Sequence, residues 1–287
     1  MVLCQRLPLL ASFKVTYQCN LSCRACPFHF RAQHPRSAMH WETAALLLNK
    51  LRKSGCQIVV FEGGEPLLWR DGNRTLHDLI VHAKTLFLRV CLTTNGTVPL
   101  DVPADRIWVS IDGLRETHNR LRSNSFDTVW ENLRNACNRN IFIHYTINRE
   151  NWRDIEPLAH MLGNLPTVRG ITVQLFYPYA QGEEDLRLTG QERMQAIDTV
   201  LRLKRNGYPI FNSSSALTAM KKHTWRCRED VLINVDPDGT ITRGCYAKRR
   251  GTVRCTECGF TPIAEASAAV SFHPTSLYAG WRIFFAD

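Results

Sequence analysis

No apolar run in these 287 residues approaches the ~20 that a membrane-spanning helix needs, which excludes a bundle of spanning helices. Low-complexity blocks are missing as well, and a hydrophobic fraction of 44 % is enough for a real core. No aromatic-interleaved basic signature marks an RNA platform, so nucleic acid is left a minor option. A secretory start has little support. MVLCQRLPLLASF carries one Arg and a short apolar patch, but cleavage there would remove or expose the strand leading into Cys19. A cytoplasmic chain is the expectation.

Acidic residues are outnumbered, 26 against 36 basic, for a net charge of +10. The excess crowds the C-terminal third: Lys221, Lys222, Arg226, Arg228, Arg243, Lys248, Arg249, Arg250 and Arg254. Such a patch suits an anionic substrate, an acidic partner, or no more than a solvated face. Cysteine, by contrast, is plentiful. Eleven thiols in a reducing compartment point to metal or redox chemistry rather than disulfides. Seven are clustered: Cys19, Cys23 and Cys26, then Cys227, Cys245, Cys255 and Cys258. Cys4 stands apart, and Cys56, Cys91 and Cys137, beside or within apolar segments, read as small buried residues.

Short segments rich in Val, Ile, Thr and aromatic residues predict strands at Ser12–Tyr17, Gln57–Phe61, Arg89–Thr93, Arg106–Ile111, Ile141–Ile147 and Gly170–Phe176. Helical periodicity falls between them, at Trp41–Lys53, Leu76–Phe87, Phe126–Arg139, Trp152–Leu162 and Gln191–Arg205. The link TVPLDVPAD is too short and Pro-rich for a helix. This alternation predicts an α/β fold, a partial (β/α)6 barrel over residues 1–208, followed by a small cysteine-rich domain at 209–287.

The residues with chemistry follow the strands. The cysteine triplet comes after the first, Glu62-Gly63-Gly64-Glu65-Pro66 after the second, and Thr94-Asn95-Gly96 after the third. Asp112-Gly113, Asn148, and Tyr177 with Tyr179 follow the other three. Barrels build their sites at the C-terminal ends of the strands, so one composite site is expected at that rim. Thiolates there select zinc, Cu(I) or iron–sulfur clusters. A closed zinc site needs a fourth ligand beside Cys19, Cys23 and Cys26, and His29 is the candidate. The alternative is a cubane cluster with three irons held and the fourth open to an outside ligand.

At these residues the chain resembles the radical S-adenosylmethionine (radical SAM) enzymes, whose signature is a Cys-x3-Cys-x2-Cys loop after the first strand of a partial (β/α)6 barrel. VTYQCNLSCRAC carries that signature, and FEGGEPLL, LTTNG, VSIDGL and FDTVWENLRNA resemble the segments that follow it. The resemblance covers roughly residues 13–176. It implies a 4Fe–4S cluster on Cys19, Cys23 and Cys26 whose open iron is chelated by the cofactor's amino and carboxylate groups. Reductive cleavage then yields a 5′-deoxyadenosyl radical that takes hydrogen from, or adds to, a substrate. Gly63, Gly64, Glu65 and Pro66 would receive the methionine amino group, with Asn95 beside them, and Ser110 and Asp112 would reach the ribose. Relatives carry an aromatic residue just before the third cysteine. Here Ala25 stands there, and Phe28 is either the adenine contact or a core residue.

Past residue 205 the pattern changes. NGYPIFNSSSALTAM reads as turn-rich, and VLINVDPDGTITRGC as a hairpin turning at Pro237-Asp238-Gly239. Cys227, Cys245, Cys255 and Cys258 frame that hairpin and can fully ligate one cluster or one zinc. The layout resembles the shortened auxiliary domain called Twitch, which implies a second, auxiliary 4Fe–4S cluster. The longer SPASM version needs thiols that the tail does not supply.

Peptide-modifying relatives share this layout, so a peptide substrate is the first expectation. A small metabolite or cofactor precursor is the second. An isoprenoid lipid is the third, from a faint resemblance of LFYPYAQGEEDLRLTG to the post-barrel region of hopanoid-modifying enzymes. A non-catalytic zinc protein is the rival reading. The enzyme reading implies an electron donor such as flavodoxin or ferredoxin, any leader-binding domain on a separate chain, and a monomer.

Overall fold

The computed structural model describes residues 8–26, 28, 37–178, 182–245, 247–249 and 253–286, with the Arg249 side chain left aside. Cys4, His29, Tyr179, Arg250 and the Arg249 side chain therefore lie outside the described residues.

Six parallel strands follow the expected order: β1 (Leu10–Thr16), β2 (Ile58–Gly63), β5 (Arg89–Thr94), β6 (Arg106–Ser110), β7 (Ile141–Ile147) and β8 (Val168–Leu175). A two-residue hairpin, β3 (Arg70–Asp71) with β4 (Arg74–Thr75), interrupts the second crossover. The crossover helices are α1 (Trp41–Lys53), α2 (Leu76–Lys84), α3 (Arg115–Leu121), α4 (Phe126–Asn135), α5 (Ile155–Leu162) and α6 (Gly190–Arg205). β5 runs to β6 without a helix, as its prolines require. Alternate strand residues, among them Ala11, Phe13, Val59, Phe61, Val90, Ile143 and Val173, face outward into one core with the helices.

Helix α3 was not expected. Its polar sequence RETHNRL has no apolar stripe, and it is held by His118, which is fully buried. The second half of the segment read as turn-rich folds instead as α7 (Ser214–Lys222). Ser213 Oγ accepts from the Ala216 N–H, so a serine that resembles turn material is a helix cap. The tail forms α8 (Thr261–Ala269) and α9 (Pro274–Phe284), each with a proline in its first turn. Cys56 and Cys91 are buried, but Cys137 is exposed, because α4 ends before it and the polar link to β7 carries it outward.

The hairpin expected in a separate C-terminal unit belongs to the barrel's own sheet. β9 (Leu232–Val235) pairs in parallel with β1, matching Leu10 to Leu232 and Phe13 to Val235, and β10 (Ile241–Arg243) pairs antiparallel with β9. Contacts cross the expected boundary at 208/209. The Ile171 N–H donates to Pro209 O at 2.8 Å, the Phe211 N–H to Ile171 O at 2.9 Å, and α7 packs on α6. Residues after 208 thus complete the barrel on both flanks. Helix α9 closes its lower end: Phe284 packs with Ile58, Val60, Cys91 and Trp108. Arg89, Arg106 and Arg169 hold it there by donating to the carbonyls of Phe284, Ile283 and Ala286 at 2.6–2.7 Å. Cations at a helix C-terminus also meet the negative end of its dipole.

Candidate active site

The cysteine loop leaves β1 at the upper rim. Burial raises the Cys19 thiol above its ordinary range, with Glu65 and Cys26 adding to it, and pushes Cys23 up to about 11, with Cys26 and Cys19 adding to that. N–H groups aim at the sulfurs: Leu21 N to Cys19 at 3.5 Å, Phe28 N to Cys26 at 3.4 Å, and Asn95 Nδ2 to Cys19 at 3.6 Å. Such donors favour thiolate over thiol, which suits ligands of a soft metal centre. Among the described residues no three Cys, His, Asp or Glu side chains converge as ligands of a single ion. A cubane spreads its thiolates over separate corners and does not need them to meet at a point.

Arg122 was not expected in the site. Burial alone would weaken its hold on the proton, but Asp112 and the thiols of Cys23 and Cys26 outweigh that and keep it charged. It donates Nε to Asp112 Oδ2 at 2.5 Å. The other Asp112 oxygen accepts from the Thr146 N–H at 3.0 Å, and Asn151 Nδ2 donates to its main-chain oxygen at 3.2 Å. Asp112, expected at a ribose, is therefore engaged within the protein, fixing a cation beside the triplet. His118 completes the support, its Nδ1 accepting from the Asp112 N–H and its Nε2 paired with Ser125 Oγ. Ser110 is buried beside His144 on the neighbouring strand.

Gly63 and Gly64 owe their lack of a side chain to the chain itself. A Cβ on Gly63 would lie 2.2 Å from Thr16 O, and one on Gly64 2.2 Å from Gln18 O and 2.5 Å from Tyr17 O. Approach of the stem of the cysteine loop is therefore a reason for glycine here besides the expected approach of a ligand. The Glu65 carboxylate is likewise occupied. Burial pushes it above the usual carboxyl range, against three donors: Leu67 N at 3.0 Å, Thr94 Oγ1 at 2.8 Å and Asn95 N at 2.7 Å. Pro66 opens a short buried turn, Pro66–Leu68. Asn95 links all of this to the cysteines, since its Nδ2 also donates to Asn20 Oδ1 at 2.9 Å. Phe28 stacks on Tyr17 at 5.3 Å, and Tyr17 donates to Asp236 in the β9–β10 turn at 2.6 Å.

The second cysteine group lies on the seam between edge strand β8 and the β9–β10 hairpin at the other end of the sheet. The Leu175 N–H donates to Gly259 O at 2.9 Å, beside Cys258, and the Arg254 N–H to Tyr177 Oη at 2.8 Å. Cys227 precedes β9 and Cys245 follows β10, where the Cys245 N–H donates to Glu229 Oε2 at 3.0 Å. Helix α8 fills the seam, with Ile263 against Val231 and Leu232. Burial pushes Cys227 up to about 11, with Glu229, Cys258, Cys245 and Cys255 adding to it, so three thiols distant in sequence lie close enough to act on Cys227. Arg193, also missed, donates to the carbonyls of Cys258 at 2.9 Å and Glu257 at 3.2 Å. Its signal was an arginine on the inner side of an amphipathic helix. Four of the nine residues of the basic patch are paired: Lys221 with Asp198, Arg228 with Asp230, Lys248 with Glu229, and Arg254 with Glu257.

Comparison with known proteins follows this geometry. Residues 13–162 match the radical SAM superfamily. Fe-coproporphyrin III synthase of Methanosarcina barkeri is 28 % identical over 216 residues, 69 % of this chain and 53 % of that protein. The sporulation killing factor maturation protein SkfB of Bacillus subtilis is 26 % identical over 172 residues, 55 % of this chain and 40 % of that protein. The chain thus spans about half the length of these curated relatives. In fold it resembles Streptococcus suis SuiB bound to its precursor peptide SuiA, with a TM-score of 0.64 at 13 % identity, covering 90 % of this chain and 64 % of that one. No helix among the described residues is long and apolar enough to cross a membrane.

Proposed function

This chain belongs to the radical SAM superfamily, a family of enzymes, and from that premise we propose that it modifies a peptide through S-adenosylmethionine cleavage at Cys19, Cys23 and Cys26. The observation that carries the reading is the joining of three loops at one rim. The cysteine loop is bonded to Gly64 and Glu65, and Glu65 in turn to Asn95, which reaches back to Cys19. Three thiolates with N–H donors and a fixed guanidinium fit a 4Fe–4S cluster, and Cys227, Cys245, Cys255 and Cys258 fit a second one. A cluster held there, with the cofactor, would supply one-electron radical chemistry. The chain's own part is positioning. Arg122 offsets the charge of the thiolates, and Glu65 sets the loops on which the cofactor would rest.

A peptide is favoured because cations at the rim are already paired. Arg122 is held by Asp112, and Lys14, inside the barrel, sits 3.5 Å from Glu62. A polycarboxylate substrate would ask for cations without such partners. SuiB, solved with a precursor peptide, and SkfB, named for maturation of a sporulation killing factor, lean the same way. The second reading, a small cofactor precursor, is favoured by the likeness to Fe-coproporphyrin III synthase. A flavodoxin or ferredoxin would supply the electron.

Anaerobically reconstituted protein with strong reductant is expected to release 5′-deoxyadenosine, and replacing Cys19, Cys23 and Cys26 by Ala to abolish it. Unchanged cleavage in that variant sinks the assignment. Iron content should be about eight per chain and fall to about four when the second cysteine group is replaced, four per cluster. About four irons with one tightly held zinc would make the second site structural.

A further inference from the structure

The barrel has an inside that the site above does not use. Its strand residues between the outward ones turn inward: Ser12 and Lys14 on β1, Glu62 on β2, His144 on β7 and Asn234 on β9. Below them the interior is apolar and closed by Phe284. Above, Glu62, His144, Thr146 and Gln174 are half-buried while the residues alternating with them are sealed, so the upper lumen is open to solvent.

Its charge is arranged in an unusual way. Lys14 is 1 % exposed, and its Nζ donates to Ser12 Oγ at 2.7 Å and lies 3.5 Å from both Glu62 Oε1 and Asn234 Oδ1. Ser12 also donates to Glu62 Oε1. Both interactions fall on the same carboxylate oxygen. Among the described residues Oε2 has no hydrogen-bond partner, and neither ring nitrogen of His144 has one. Burial lowers the His144 imidazole to about 4, with Glu62 close enough to act on it, so the ring is neutral and carries one N–H donor and one acceptor.

We propose that Glu62 and His144 form an amide-recognition subsite in the upper lumen, Glu62 Oε2 accepting the N–H of a substrate peptide group and His144 donating to its carbonyl. This rests on the peptide reading above and deepens it. The charge balance selects the ligand. Lys14 and Glu62 compensate each other, so an entering ammonium would find no unbalanced carboxylate and an entering carboxylate no unbalanced cation. A neutral group that carries both a donor and an acceptor matches what the lumen offers, and an amide is such a group.

The test uses N-acetylglycine N-methylamide as probe on cluster-loaded, histidine-labelled protein under anaerobic conditions. The His144 ring signal is identified by its loss in His144→Phe and followed by NMR through a titration. The amide is expected to shift that signal saturably, while methylammonium and acetate do not. Glu62→Gln, which keeps size and turns an acceptor into a donor, should weaken binding roughly ten- to a hundredfold, the range for a hydrogen bond to a charged group. Equal binding by Glu62→Gln overturns the proposal. So does saturable binding of methylammonium in place of the amide. Cofactor cleavage by the wild-type protein is measured separately. Its failure with amide binding intact would remove the proposed function and leave the subsite standing.

Discussion

Replacing Gly64 by alanine adds one carbon, and the structure says where it goes. The new Cβ would sit 2.2 Å from Gln18 O, 2.5 Å from Tyr17 O and 2.6 Å from Tyr17 C, all backbone atoms that no rotamer change can move aside. The two segments must separate by about 1 Å to restore ordinary contact, an overpacking cost of roughly 1–3 kcal/mol. That separation also strains two 2.8 Å hydrogen bonds, Gly64 N–H to Thr16 O and Glu65 N–H to Gln18 O. At about 1 kcal/mol each, these bring the expected loss to roughly 3–5 kcal/mol, a large part of the ~5–15 kcal/mol that holds a typical domain together. Because Gln18 is bonded directly to Cys19, the shift should also reach the cysteine loop. Urea unfolding of metal-free protein gives the stability, and iron per chain after reconstitution reads the loop. Gly190→Ala is the control, since nothing lies within 4 Å of its would-be Cβ at the start of α6. It is expected to change stability by no more than about 1 kcal/mol, in the stabilising direction. If Gly64→Ala matches wild type in both stability and iron, the close approach of the two loops is not what the glycine is for.

Two further outcomes are expected. Asp112→Asn leaves the Arg122 guanidinium buried without its anion and should cost about 3–5 kcal/mol in urea unfolding, because the pair is 7 % and 16 % exposed; a loss under about 1 kcal/mol would mean that Arg122 relaxes to solvent. His118 is held neutral, its imidazole lowered to about 4 from 6.5 chiefly by burial, with Arg122 adding to it. A base depressed in the fold contributes stability that is fully present above its unfolded value and lost as pH falls toward 4. The gap amounts to roughly 3 kcal/mol. His118→Gln should flatten the unfolding profile between pH 7 and pH 4 without abolishing its slope, since His144 is lowered to about 4 as well; an unchanged profile would show that His118 takes up its proton in the folded state.

The strands and their order were legible because each is a short run of β-branched and aromatic residues closed by turn residues, a local signal. The cysteine loop was legible for the same reason, being one contiguous stretch. What was illegible depends on partners far apart in sequence. Ser213 has the composition of a turn, and only the helix after it makes it a cap. The strand at Leu232–Val235 was read correctly as half of a hairpin, yet its place beside β1 comes from a pairing that spans more than 200 residues and that no local pattern encodes. The site divides along the same line. Residue types near the rim could be named, but their roles follow from what each touches. Asp112 and Glu65 were expected beside the cofactor because their segments resemble those of the radical SAM enzymes. In the folded chain Arg122 claims one, and Leu67, Thr94 and Asn95 claim the other. Glu62 stood in the same stretch without being singled out. It is the acid whose second oxygen is left open, because Lys14 and Ser12 crowd onto the first. A motif therefore marks where acids gather, while the difference between an acid that builds the site and one that can meet a substrate lies in which oxygens the fold has already used.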